Sequence, residues 1–219
     1  MTRTYTLKKR AEQQADTRRR IVDAAVELHS SAGPAHTTFS MVAERAGVQR
    51  HTLYAHFPNE RSLLMACSGQ VAEDDPMPDA APWHQIEERR ERLTVGIRAI
   101  YDWYERHASL MARVLRDAEH HALTREISRL RFAKPFAEWK EALGVGLDDR
   151  QRAMLGLTLR FFNWRYLRQE AGLPQEAAVS LMVLAIDGLG KGVQDDDAGD
   201  QSKPENAGRQ AVVSLRALP

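Results

Sequence analysis

A chain of 219 residues, 43% hydrophobic and 28% charged, suits one large or two small domains with an ordinary buried core. The single cysteine, Cys67, excludes an intrachain disulfide and a cysteine-rich zinc site. The longest apolar run, 177–186, is broken by Ser180 and falls far short of the ~20 residues a membrane span needs. The net charge of +1 is unevenly spread. Residues 1–72 carry ten Lys/Arg against six Asp/Glu, residues 73–194 eighteen against nineteen, and the last 25 residues three against five. The positive field therefore sits at the amino-terminal end, where a polyanion would be met. That end lacks the apolar stretch of a signal peptide, so no export is expected and the chain reads as cytoplasmic.

Helical spacing dominates, and no long alternating run rich in Val, Ile and Thr reads as strand. The expected fold class is all-α. Residues 1–15 read as a basic flexible arm. A first helix over 16–31 places Ile21, Ala24, Ala25 and Leu28 on one face, and Gly33-Pro34 stops it. A second starts at Thr38, a side chain suited to capping, turns Phe39, Val42, Ala43 and Ala46 inward, and ends at Gly47. A third, Arg50-His51-Thr52-Leu53-Tyr54-Ala55-His56, is closed by Phe57-Pro58. A fourth opens at Asn59 and runs towards Val71. The stretch "EDDPMPDAAP", 73–82, holds three prolines and three aspartates and reads as a linker. Longer helices follow over 83–107, around Leu110 to Ala118, over 123–143 with a bend or restart at Pro135, over 148–171 and over 174–193. The tail, 195–219, is polar and rich in breakers and is expected to be disordered. The domain limits are thus 1–15, 16–66 with the fourth helix as connector to about 72, 73–194 and 195–219.

Two helices separated by a glycine turn, behind a longer first one, have the order of a helix-turn-helix, whose last helix enters the DNA major groove. The third helix has the chemistry for it. Its outward side offers hydrogen-bond donors and no carboxylate. Arg50 can donate two bonds to a guanine edge. Thr52 and Tyr54 offer hydroxyls to phosphate and His56 a ring nitrogen, while Leu53 and Phe57 turn inward against Ile21, Leu28 and Val42.

The segments "TRRRIVDAAVELHSSAG", "TTFSMVAERAGV" and "TLYAHFPNERSLL" resemble, in order and without gaps over about residues 17–66, the amino-terminal domain of TetR/AcrR-family transcriptional regulators. The resemblance implies an all-helical chain whose second domain binds a small molecule and forms the dimer. It places Thr38 and Ser40 where family members touch phosphate or base, Gln49, Arg50 and His51 among base readers, and Thr52, Tyr54 and His56 among phosphate contacts. Two departures stand out. Gln49 occupies a position often held by a small capping residue. Glu60 stands where the family usually has a phosphate-binding lysine, which leaves the contact to Arg61 or to the helix amides.

In the second domain "MLGLTLRFFNWRYLRQ" and "AAVSLMVLAIDGL" are apolar on nearly every side, and such helices need cover all round. A second copy packed through about 148–193 supplies it, giving a homodimer that presents two reading helices about 34–36 Å apart to double-stranded DNA. Aromatic residues crowd the middle helices. Trp103, Tyr104, Phe132, Phe136, Trp139, Phe161 and Trp164, with Met111, are candidate walls of an apolar ligand pocket, and Tyr101, Asn163 and Arg165 candidate polar anchors. Adjacent His120 and His121 point about 100° apart on a helix and have no third ligand at metal spacing, so no metal is expected. No phosphate loop, nucleophile elbow or other catalytic spacing is present, and no cofactor is expected. The reading is a dimeric repressor released from a palindromic operator by a small apolar ligand. A constitutive dimeric DNA-binding protein without a ligand, and a helical enzyme, stay open as alternatives at this point.

Overall fold

The computed structural model describes residues 2–190, with side chains from residue 8 onward; the tail at 195–219 lies outside them. Among the described residues every regular element is helical: α1 (Thr2–Ser31), α2 (Phe39–Ala46), α3 (Arg50–His56), α4 (Glu60–Asp74), α5 (Arg89–Arg106), α6 (Ala108–Ala118), α7 (Ala122–Leu143), α8 (Asp149–Thr158), α9 (Phe161–Arg165) and α10 (Gln175–Leu189). Short 3-10 turns at Pro34–His36 and Ala81–Gln85 and a π-turn at Tyr166–Glu170 complete the path. None of these helices is long and apolar enough to cross a membrane.

Two cores form. In the head, Leu53 and Phe57 of the α3 segment meet Ile21, Leu28, Val42 and Leu63, joining α1 to α4 into one unit. In the body, Leu93, Ile97 and Ile100 of α5 pack with Trp139, Leu155 and Ile186 from α7, α8 and α10. Head and body meet where α1 lies on α6 and α4 on α7.

Five expectations are corrected. The amino-terminal arm, expected to lack regular structure, is helical backbone from Thr2, continuous with α1. The linker at 73–82 is a packed strap: Glu73 and Asp74 end α4, the indole N–H of Trp103 donates to the Asp75 carbonyl (3.1 Å) and that of Trp139 to the Pro78 carbonyl (2.8 Å). The helix over 83–107 is split, because Glu88 accepts from the Arg90 and Glu91 N–H groups and starts α5 afresh. The helix over 148–171 breaks at Leu159-Arg160, where Arg160 is extended. The buried Tyr101 and Tyr104 hydroxyls donate to the Thr158 (3.1 Å) and Leu159 (2.7 Å) carbonyls, satisfying groups that a continuous helix would bond internally. α7 runs through Pro135 as one helix, without a restart there. The last helix ends at Leu189 with Gly190 as its C-cap, and 191–193 of the range expected for it lie outside the described residues.

Candidate functional site

Local chemistry sets the α2–α3 turn. The Thr38 Oγ1 accepts from the Met41 N–H (3.3 Å), and Gly47 closes α2 at φ 64°, a left-handed conformation that glycine takes without steric cost. The side chain of Gln49 makes no capping bond although the residue is the N-cap of α3. With Leu53 fully buried as the anchor, Gln49, Arg50, His51 and Tyr54 are exposed and Thr52 and His56 half-buried. The Tyr54 ring, 46% exposed, rests on Phe39 of α2 at 5.1 Å between centroids. A groove of about 520 Å³ beside α3 is lined by Thr38, Ser40, Arg50 and Tyr54 together with Asn59 and Glu60. Gln49, His51, Thr52 and His56 stand outside it. No acid stands on α3; the one carboxylate of the groove, Glu60, lies 3.5 Å from His121 Nε2. Arg61 is paired with Glu126 of α7. Farther back, Arg18 lies over the Phe57 ring (4.3 Å) and Arg20 pairs with Asp16 (3.5 Å).

The seam between head and body is polar at its edge and hollow behind. Asp117 at the end of α6 is fully buried and accepts from the Ala35 N–H (2.9 Å) and from Arg116. Burial opposes its ionisation, but Ala35, Arg116 and His36 outweigh that and hold its carboxyl below the usual range. Arg116 also donates to the Ala32 carbonyl (2.9 Å). Arg131 of α7 reaches α4, donating to Ser68 Oγ and to the Met65 carbonyl, each at 3.0 Å. Behind these bonds lies a cavity of about 430 Å³ walled by α1, α4, α5, α6, α7 and the strap. Its lining is mainly apolar, including Val71, Trp103, Met111, Val114, Ile127 and Phe132. His29 of α1, 5% exposed, faces it, and burial pushes its imidazole down to about 4.

The profile of the family described as bacterial regulatory proteins, tetR family, matches residues 21–67. Residues 21–67 thus carry the amino-terminal domain that this family model describes. Over 59 residues it is 37% identical to the HTH-type transcriptional regulator SrpR of Pseudomonas putida, covering 27% of this chain and 28% of that protein. Over 63 residues it is 38% identical to the HTH-type transcriptional repressor KstR of Mycolicibacterium smegmatis, covering 29% and 31%. The chain thus spans less than a third of either relative by sequence. The fold extends further: the crystal structure of NalD, the secondary repressor of the MexAB-OprM multidrug efflux pump in Pseudomonas aeruginosa, superposes with a TM-score of 0.57 at 22% identity, covering 80% of this chain and 96% of that one.

The expected pocket residues divide. Trp103, Met111 and Phe132 line the cavity. Tyr101, Tyr104, Phe136, Trp139, Phe161, Trp164 and Arg165 do not. Tyr101, Tyr104, Trp139, Phe161 and Trp164 are body core, Phe136 packs against Trp139 at 4.8 Å, and Arg165 lies over Phe162. Asn163 donates to the Met182 sulfur (3.4 Å). Sequence reasoning missed the walls from α1 and α4, namely His29, Leu64, Cys67 and Val71, and those from α6 and α7 such as Val114, Ile127 and Arg131. The apolar spacing of Leu110, Met111 and Val114 on α6 was the one available signal, and it does not separate cavity from core.

Proposed function

We propose that the protein is a dimeric DNA-binding transcriptional repressor that a small molecule releases from a palindromic operator. The observation that carries the DNA-binding part is the acid-free outward side of α3, held by buried Leu53 and carrying exposed Gln49, Arg50, His51 and Tyr54. Gln49, Arg50 and His51 read bases; Thr38, Ser40, Thr52, Tyr54 and His56 hold phosphates. Repression is favoured by likeness to two proteins named as repressors, KstR and NalD. Arg61, engaged by Glu126, leaves the phosphate at the start of α4 to the helix amides.

DNA fragments selected from a random pool by the full chain define the half-site. On that site Arg50→Ala is expected to relax preference at one base pair, costing about 1–3 kcal/mol there. Tyr54→Phe is expected to weaken all sequences alike, by about 0.5–1.5 kcal/mol. An unchanged base profile for Arg50→Ala removes it from readout.

The dimer reading is supported by exposed Leu157, Phe162, Tyr166, Leu181 and Leu184, contributed by α8, the α9 segment and α10. A second copy covers them. Leu184→Glu, at an exposed position, is expected to turn a dimer into a monomer by light scattering and to weaken operator binding steeply. A wild-type chain that is monomeric at micromolar concentration ends this reading. The cavity at the head–body seam supports ligand release, because a molecule seated there touches both α4 and α6 and can prefer one head position over another.

A further inference from the structure

We infer that the seam cavity selects organic acids: its ligand has an apolar body and one anionic oxygen group, held by His29 of α1 and Arg131 of α7. This rests on the ligand-responsive reading above and adds the charge of the ligand. The argument is an account of every polar group on the wall that carries or meets charge. The Asp75 carboxylate is engaged by Arg106 Nε (2.6 Å) and Nη2 (3.1 Å) and by His107 Nε2 (3.0 Å). The Thr124 hydroxyl is bonded to His121 Nδ1 (2.7 Å). Cys67 is buried, and burial pushes its thiol up to about 12, so it is neither an anion nor a nucleophile at neutral pH. Lys134 lies 3.7 Å from Glu138, in solvent.

Two groups remain. His29 is nine-tenths buried, lines the cavity and has no hydrogen-bond partner among the described residues. A neutral imidazole keeps one N–H to donate. Arg131 gives Nε to Ser68 and Nη2 to the Met65 carbonyl, and among the described residues no carboxylate lies within 4.0 Å of it. The wall thus holds a cation without an acidic partner, a buried imidazole without a partner, and no unengaged carboxylate. A cationic ligand would lose water here and gain no counter-charge. An acid would gain charge-assisted bonds from Arg131 and a further donor from His29, with Ser128 on the same wall. The volume suits a molecule of drug or medium-chain lipid size.

The test is calorimetric titration of the full chain with three probes of one shape: decanoate, decanol and decylammonium. Decanoate is expected to bind about tenfold or more tighter than decanol, and decylammonium weakest. Arg131→Gln is expected to remove the preference for decanoate while leaving decanol unchanged, and Arg131→Lys to keep it. Val114→Trp, which fills the cavity, is expected to abolish binding of all three. Decanol or decylammonium binding as tightly as decanoate overturns the charge selection and leaves the cavity a ligand site. Decanoate binding unaffected by Val114→Trp overturns the assignment to this cavity. If none of the three binds the wild-type chain, the ligand-responsive reading itself falls, and this inference with it.

Discussion

Replacing Asp117 by alanine is expected to lower the unfolding free energy by about 2–4 kcal/mol, the largest loss from any single polar side chain at the seam. The carboxylate is fully buried, so its removal cannot be made good by water at the same place. It strands the Ala35 N–H and takes one partner from Arg116, which keeps the Ala32 carbonyl and is 41% exposed at its side chain. That exposure places the cost below the full penalty of an orphaned buried charge. Asp117→Asn retains an acceptor for Ala35 and is expected to lose less. Gly33→Ala attacks the same contact from the other side: its φ is 101°, and an added Cβ would stand 2.4 Å from the Asp117 Oδ2. In a chain of this size each kcal/mol moves the melting midpoint by about 2–4 °C, so calorimetry resolves the series. Equal midpoints for wild type and Asp117→Ala would mean that α6 is not fastened to the head through this carboxylate.

Stability is also expected to fall as pH drops from about 6.5 to 4. Burial depresses the His29 imidazole from 6.5 to about 4, the Asp117 charge partly opposing it. Between those values the unfolded chain binds a proton that the folded chain refuses, so stability is fully present above 6.5 and is lost on acidification, by about 3 kcal/mol in all. Asp117, held below its usual range, adds a loss of the same sign at still lower pH. Urea midpoints of wild type and His29→Leu at pH 7 and pH 4.5 separate this from the general effect of surface carboxylates. The leucine variant is expected to lose distinctly less over that interval. Parallel losses in the two chains would remove His29 as the cause.

The head was legible residue by residue because its signals are local. Thr38 caps α2, Gly47 ends it, Asn59 with Ser62 forms a capping box, and each lies within a few residues of the groups it satisfies. Only the extension of α1 was lost, since a run of charged residues has no apolar face to show a helix. The body was legible as helices but not at its breaks. What ends α8 is the pair of hydroxyls from Tyr101 and Tyr104, more than fifty residues away along the chain. The same distance explains why these aromatics looked like pocket walls: composition reports that a ring is buried, not whether its neighbour is protein or empty space. Glu60 was readable as a departure and Arg61 as its possible substitute, while their partners, His121 at the N-cap of α7 and Glu126 within it, were not.

The position of Cys67 has a practical corollary. It is the chain's one sulfhydryl, and it sits between α1 and α4, with its Sγ 4.0 Å from the Val22 carbonyl and one side towards the hollow. A modifying reagent reaches it only when those two helices part or when the hollow admits the reagent. Its alkylation rate therefore clocks, without any engineered label, how often α1 and α4 part or the hollow opens, and an occupant of the hollow would slow that clock.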